Sequence, residues 1–119
     1  MSILKVNTIQ NTGGTDLLAP LQSGSAKAWV KFKGTGTVSM YDSFNISSMT
    51  DNGTGSYQFN FTSNLANQNY AAIANSAGFF AHCGGALTNY QTTSFKVFVL
   101  NINGSNTDRD FNSAVVLGD

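Results

Sequence analysis

The stretch Tyr57-Gln58-Phe59-Asn60-Phe61-Thr62 alternates aromatic and polar side chains without a break. In an extended chain successive side chains point to opposite faces, so three rings line one side and three polar groups the other. A helix would spread the same rings around its circumference, so the reading is a half-buried β-strand. Turn chemistry brackets it. Asp51-Asn52-Gly53-Thr54-Gly55 precedes it and the polar loop Ser63–Asn69, with room for one helical turn, follows.

The same period recurs on either side of this stretch. Lys27–Lys33 sets Ala28, Val30 and Phe32 against Lys27, Trp29, Lys31 and Lys33. Gly34-Thr35-Gly36 interrupts before Thr37–Tyr41 resumes, then Phe44 and Ile46 are read on one face and Ser47-Ser48 as a bulge before Met49. Tyr70–Ala74 and Phe79–Cys83 read as strands around the small-residue stretch Asn75–Gly78. Phe95–Ile102 is apolar on both faces, Val97 and Val99 opposing Phe98, Leu100 and Ile102, the pattern of a central strand or of one at an interface. Asn103-Gly104 is a hairpin signal ahead of Arg109–Leu117, where Phe111, Val115 and Leu117 alternate. Short strands separated by turn clusters predict an all-β fold, a compact antiparallel β-sandwich of jelly-roll-like type.

Composition agrees. The 119 residues fit one domain and include nine Phe, four Tyr and one Trp for a core. Only 10% are charged, against about 25% on average, and Glu is absent. Asn, Ser, Thr and Gly carry the polarity instead, which suits strand faces and turns better than helices. The net charge is zero, and Lys27, Lys31 and Lys33 are too few to make a nucleic-acid footprint. A neutral surface also permits copies to associate. No run reaches the ~18 apolar residues of a membrane span, and Ser2–Gln10 lacks the apolar block of a secretory signal, so synthesis in a cytoplasm is expected.

Ahead of the strands, Ile3–Ile9 has strand character and ends in Asn11-Thr12-Gly13-Gly14, and Asp16–Ser25 holds the breakers Pro20 and Gly24. Residues 1–25 are therefore read as an arm and linker, and 26–119 as the sandwich domain. The arm cannot own a core, so Ile3, Leu4, Val6 and Ile9 are candidates for assembly or attachment. Trp29 shares its face with three lysines and is the candidate for an interface or for stacking on a glycan.

The chemical motifs of enzymes are missing. His82 is the only His and Cys83 the only Cys, adjacent residues that point to opposite faces of a strand and cannot share a metal. No nucleophile elbow accompanies His82, and Gly34-Thr35-Gly36-Thr37 lacks the lysine frame of a P-loop. The Asx-rich loops Asp51–Gly55 and Asn101–Asp110 depart from EF-hand spacing and read as turns. Four matches to the glycosylation pattern, at Asn45, Asn52, Asn60 and Asn103, are what an Asn/Ser/Thr-rich chain produces by chance. The expectation is a protein with no catalytic residues, metal or cofactor.

Ala26-Lys27-Ala28-Trp29-Val30-Lys31-Phe32-Lys33-Gly34-Thr35-Gly36-Thr37-Val38, Ser43–Ser48, Thr50–Tyr57, Asn60-Phe61 and Asn69-Tyr70-Ala71 together resemble a small domain of fibre and other structural proteins in tailed-bacteriophage virions, marine and cyanobacterial phages especially. Ile3–Asn11 with Gly13-Gly14-Thr15 is similar to segments of the same proteins. The resemblance implies a non-enzymatic virion component that forms homo-oligomers, often trimers, contacts other virion proteins and faces the host, with a host-surface glycan as a candidate ligand. The chain is shorter than a typical fibre and has no repetitive shaft, which brings in a capsid-decoration role as the alternative. A lectin-like glycan-binding domain is the alternative of another class.

Overall fold

A computed structural model describes residues 2–15, 24–84 and 90–118. The described residues form eight strands: β1 (Ala26–Lys33), β2 (Ser39–Phe44), β3 (Ile46–Gly53), β4 (Ser56–Phe61), β5 (Ala71–Ser76), β6 (Phe80–Cys83), β7 (Ser94–Leu100) and β8 (Asn112–Leu117). They form two antiparallel four-stranded sheets, ordered β2-β1-β8-β5 and β3-β4-β7-β6, packed into the expected β-sandwich. The linker expected over Asp16–Ser25 lies almost wholly outside the described residues. Ile3–Ile9 belongs to none of the eight strands.

The alternation in the sequence decides what is buried. Tyr57, Phe59 and Phe61 of β4 face Phe95, Val97 and Val99 of β7 on one inner surface, and Ala28, Val30, Phe32, Ala114 and Val116 form the other. The rings interlock. Phe59 lies 4.7 Å from Phe32 of the opposite sheet and 5.5 Å from Phe95 of its neighbouring strand, centroid to centroid. Such pairs add roughly 0.5–1.5 kcal/mol each beyond the area they bury. β7 is a central strand between β4 and β6, with Phe98 and Leu100 on its half-buried outer side.

Two expectations change. Phe44 and Ile46 do not share a face: Phe44 is exposed and Ile46 buried. Between them Asn45 sits at φ 59, a left-handed turn that passes the chain from one sheet to the other. Its amide holds the corner, donating to the carbonyls of Lys27 and Ser63 and accepting from the Ser63 N–H. The predicted bulge follows at once, as a register shift between Ile46 and Ser48.

Asn103-Gly104 likewise forms a tight turn but no hairpin. Gly104 N–H donates to Asn101 and Asn101 N–H to Ser105, yet β7 and β8 belong to different sheets. The chain is carried across because Thr107 N–H bonds back to Val99 and Asp108 is drawn under the turn before β4. The carboxylate of Asp108 accepts from the Gly55 N–H at 2.9 Å and from the buried Tyr57 hydroxyl at 2.5 Å.

Candidate functional site: an open sheet face and an uncovered arm

No group of three or more His, Cys, Asp or Glu side chains is placed to hold a metal among the described residues. His82 is exposed on β6 and stacks on Phe98 with centroids 5.3 Å apart. Cys83, the next residue, faces the core, and burial pushes its thiol up to about 12. The reactive thiolate is therefore scarce at neutral pH. Asp51 accepts from the Gly53 N–H as a turn residue. A cleft of about 270 Å³ runs beside Thr35, Asp108, Arg109 and Asp110. Its groups are already engaged: Thr35 donates to Asp110, and the Arg109 guanidinium lies 4.0 Å over the Phe79 ring.

The outer face of the sheet β2-β1-β8-β5 is different. Strand register sets Phe44 opposite Trp29, Trp29 opposite Val115 and Val115 opposite Ile73. One row of apolar side chains thus crosses all four strands on the solvent side, with neighbours about 5 Å apart. Trp29 is 38% exposed, Phe44 54% and Ile73 61%. A shallow depression of about 410 Å³ follows the row and is lined from β1, β5 and β8, with Lys31, Asn75 and Ser113 as its polar members. At its margin Tyr41 and Phe111 stack at 5.7 Å, and the Lys31 ammonium lies 5.6 Å above the Phe111 ring. An apolar row of this kind on a solvated face is a feature of contact surfaces.

The arm candidates are uncovered as well. Ile3, Leu4, Val6 and Ile9 are 71%, 88%, 51% and 40% exposed. The arm ends in a defined turn, because the Asn11 side chain accepts from the Gly13 and Thr15 N–H groups. Among the described residues the lining of the Trp29 depression contains none of Ile3, Leu4, Val6 and Ile9, so the structure does not bring Trp29 and these arm candidates together. Trp29 was visible in the sequence through its place among the lysines. Phe44, Ile73 and Val115 carry no such mark, since only strand register reveals that they adjoin it. Comparison with family models, with curated proteins and with solved structures finds no match to this chain.

Proposed function

We propose that this protein is a non-enzymatic structural module of a tailed-phage virion, a short fibre or appendage component that assembles as a homo-oligomer and docks through residues 1–25. The resemblance of Ala26–Ala71 to virion domains supports the class of protein and the trimer as the expected oligomer. The observation that carries the assembly role is the arm, where four large apolar side chains stand in solvent on a segment outside both sheets. Leaving them bare forgoes roughly 1.5–3 kcal/mol for each side chain that a partner could bury. The test is to measure the solution mass of the purified protein and to seek the chain in purified particles with a specific antibody. An oligomer found at a tail, baseplate or neck position fits the reading. Labelling spread over the capsid would indicate the decoration role instead. A chain missing from particles overturns both.

The Trp29 depression favours a second reading, because an indole beside Lys31, Asn75 and Ser113 combines a stacking surface with hydrogen-bonding groups. In that reading the domain binds a host-surface glycan. Millimolar or tighter binding on a glycan panel, lost in Trp29→Ala, would establish it. Panel-wide silence would remove it.

A further inference from the structure

We propose that the free edge of β5 receives the arm of a second copy, with Ile3–Ile9 adding as a fifth strand beside Ala71–Ser76. The inference rests on the assembly reading above and names the surface that reading lacks.

Among the described residues four strands are edges in the two sheets: β2 and β5 in one, β3 and β6 in the other. Edge strands present unpaired backbone groups, and proteins blunt them with charge, proline, bulges or shortness. Three of the four carry such a device. β2 bears Asp42 and meets β1 through a register shift, β3 bears Asp51 and two register shifts, and β6 has only four residues. β5 reads Ala71-Ala72-Ile73-Ala74-Asn75-Ser76, with no charge, no proline and an unbroken register against β8. Its bridging towards β6 is confined to Ser76 and Phe79, at the end where the chain turns. β5 is the unguarded edge.

The arm supplies what such an edge lacks. Ile3–Ile9 is rich in β-branched residues, has one charge at Lys5, and belongs to none of the strands described in its own chain. Seven residues span about 23 Å when extended, close to the roughly 20 Å of six-residue β5. Strand addition of this kind takes affinity from main-chain hydrogen bonds and specificity from alternate side chains. Here a side chain of the incoming arm lies beside Ile73 and lengthens the row Phe44–Trp29–Val115–Ile73 by one member. Direct packing of two such faces is the poorer arrangement: each presents Lys27, Lys31 and Lys33 against the single carboxylate of Asp42, so like charges would meet. An arm-to-edge contact is heterologous, and closes into a ring when the rotation between copies permits.

The experiment places p-benzoylphenylalanine at position 73 of the full chain and irradiates a mixture of ¹⁴N and ¹⁵N protein. The expected result is a cross-link between differently labelled copies that maps within residues 3–9. Ile73→Lys, on a residue already mostly exposed, should keep its thermal transition yet fall to the mass of one chain, 12.6 kDa. Deletion of residues 1–15 should likewise give single chains. Inter-copy cross-links that map elsewhere would overturn the proposal, as would an oligomer indifferent to both changes. So would a full-length protein that stays monomeric at about 100 µM, far above a micromolar Kd. A monomer still incorporated into particles would defeat this contact alone and leave the virion reading standing.

Discussion

At the scale of single residues, the hydroxyls of Tyr57 and Tyr70 are sunk into this core in hydrogen bonds, and burial holds them and the Cys83 thiol protonated. The Tyr57 hydroxyl, between Asp108 and the Gly34 carbonyl, is fully buried, and desolvation followed by the hydrogen bond to Asp108 pushes its ionisation well above the ordinary tyrosine value. Tyr70 donates to the carbonyl of Gln91 or Ser94, and burial raises it to about 12. Cys83 is raised to about 12 from an ordinary value of 9.0, also by burial. Each group is neutral when protonated, and each folded-state value lies above the unfolded one. The folded state therefore keeps protons that the unfolded chain loses, so stability must fall as pH rises. That contribution is complete below pH 9 and is lost upward from 9.0 for Cys83 and from 10.0 for the two tyrosines. A series of thermal melts should accordingly show Tm level from about pH 6 to 8 and falling progressively above 9, with the first part of the fall absent in Cys83→Ala. A Tm that holds level to pH 11 would mean that these side chains reach solvent.

At the scale of elements, the strands follow from alternation and the corners from single residues. Tyr57–Phe61 and Ala28–Phe32 were legible because inner and outer side chains differ sharply in polarity. The face of Phe44 was not legible. Alternation assumes continuous extended backbone, and one left-handed residue, Asn45, reverses the parity between β2 and β3. The loop after β7 hid its course for a different reason: Asn103-Gly104 marks a local turn, while the crossing depends on Thr107 finding Val99 and Asp108 finding Gly55, 53 residues away. The arm and Trp29 could be picked out because apolar groups on weakly patterned or lysine-rich segments stand out. The β5 edge could not, since alanines next to an isoleucine carry no local sign of being unpaired. Asn45 gives the element-scale prediction. Left-handed backbone costs an ordinary L-residue roughly 1–2 kcal/mol and glycine almost nothing. Asn45→Ala loses the side-chain bonds and meets that strain; Asn45→Gly loses the bonds alone. Urea titration should find both variants destabilised, and Asn45→Ala lower than Asn45→Gly by about 1–2 kcal/mol. Equal stability of the two would assign the corner to the hydrogen bonds rather than to the backbone.

At the scale of the molecule, the sandwich and the arm have separate physical bases, and the core shows where the division falls. Among the described residues the buried cluster begins at Ala28 and includes none of the arm, whose Ile3, Leu4, Val6 and Ile9 stand in solvent. The strand ladders run from Ala26 to Leu117. Removing residues 1–25 therefore deletes none of the described packing around Phe32, Phe59 and Phe95, and about 94 residues remain, a size at which single domains usually unfold in one step. The truncated chain should melt cooperatively with a far-UV spectrum of β type. Its stability measured as a dilute monomer should lie within about 1 kcal/mol of the full chain, since exposed positions away from the core rarely contribute more. Phe59→Asp in the same truncated chain is the contrast. It removes a ring worth roughly 3–5 kcal/mol and buries a carboxylate without a partner, a loss comparable to the whole stability of a small domain. The transition should vanish there. If truncation alone broadened or abolished the melt, residues 1–25 would have to be part of the folding unit, and an arm exchanged between copies would then be a condition of folding as well as of assembly.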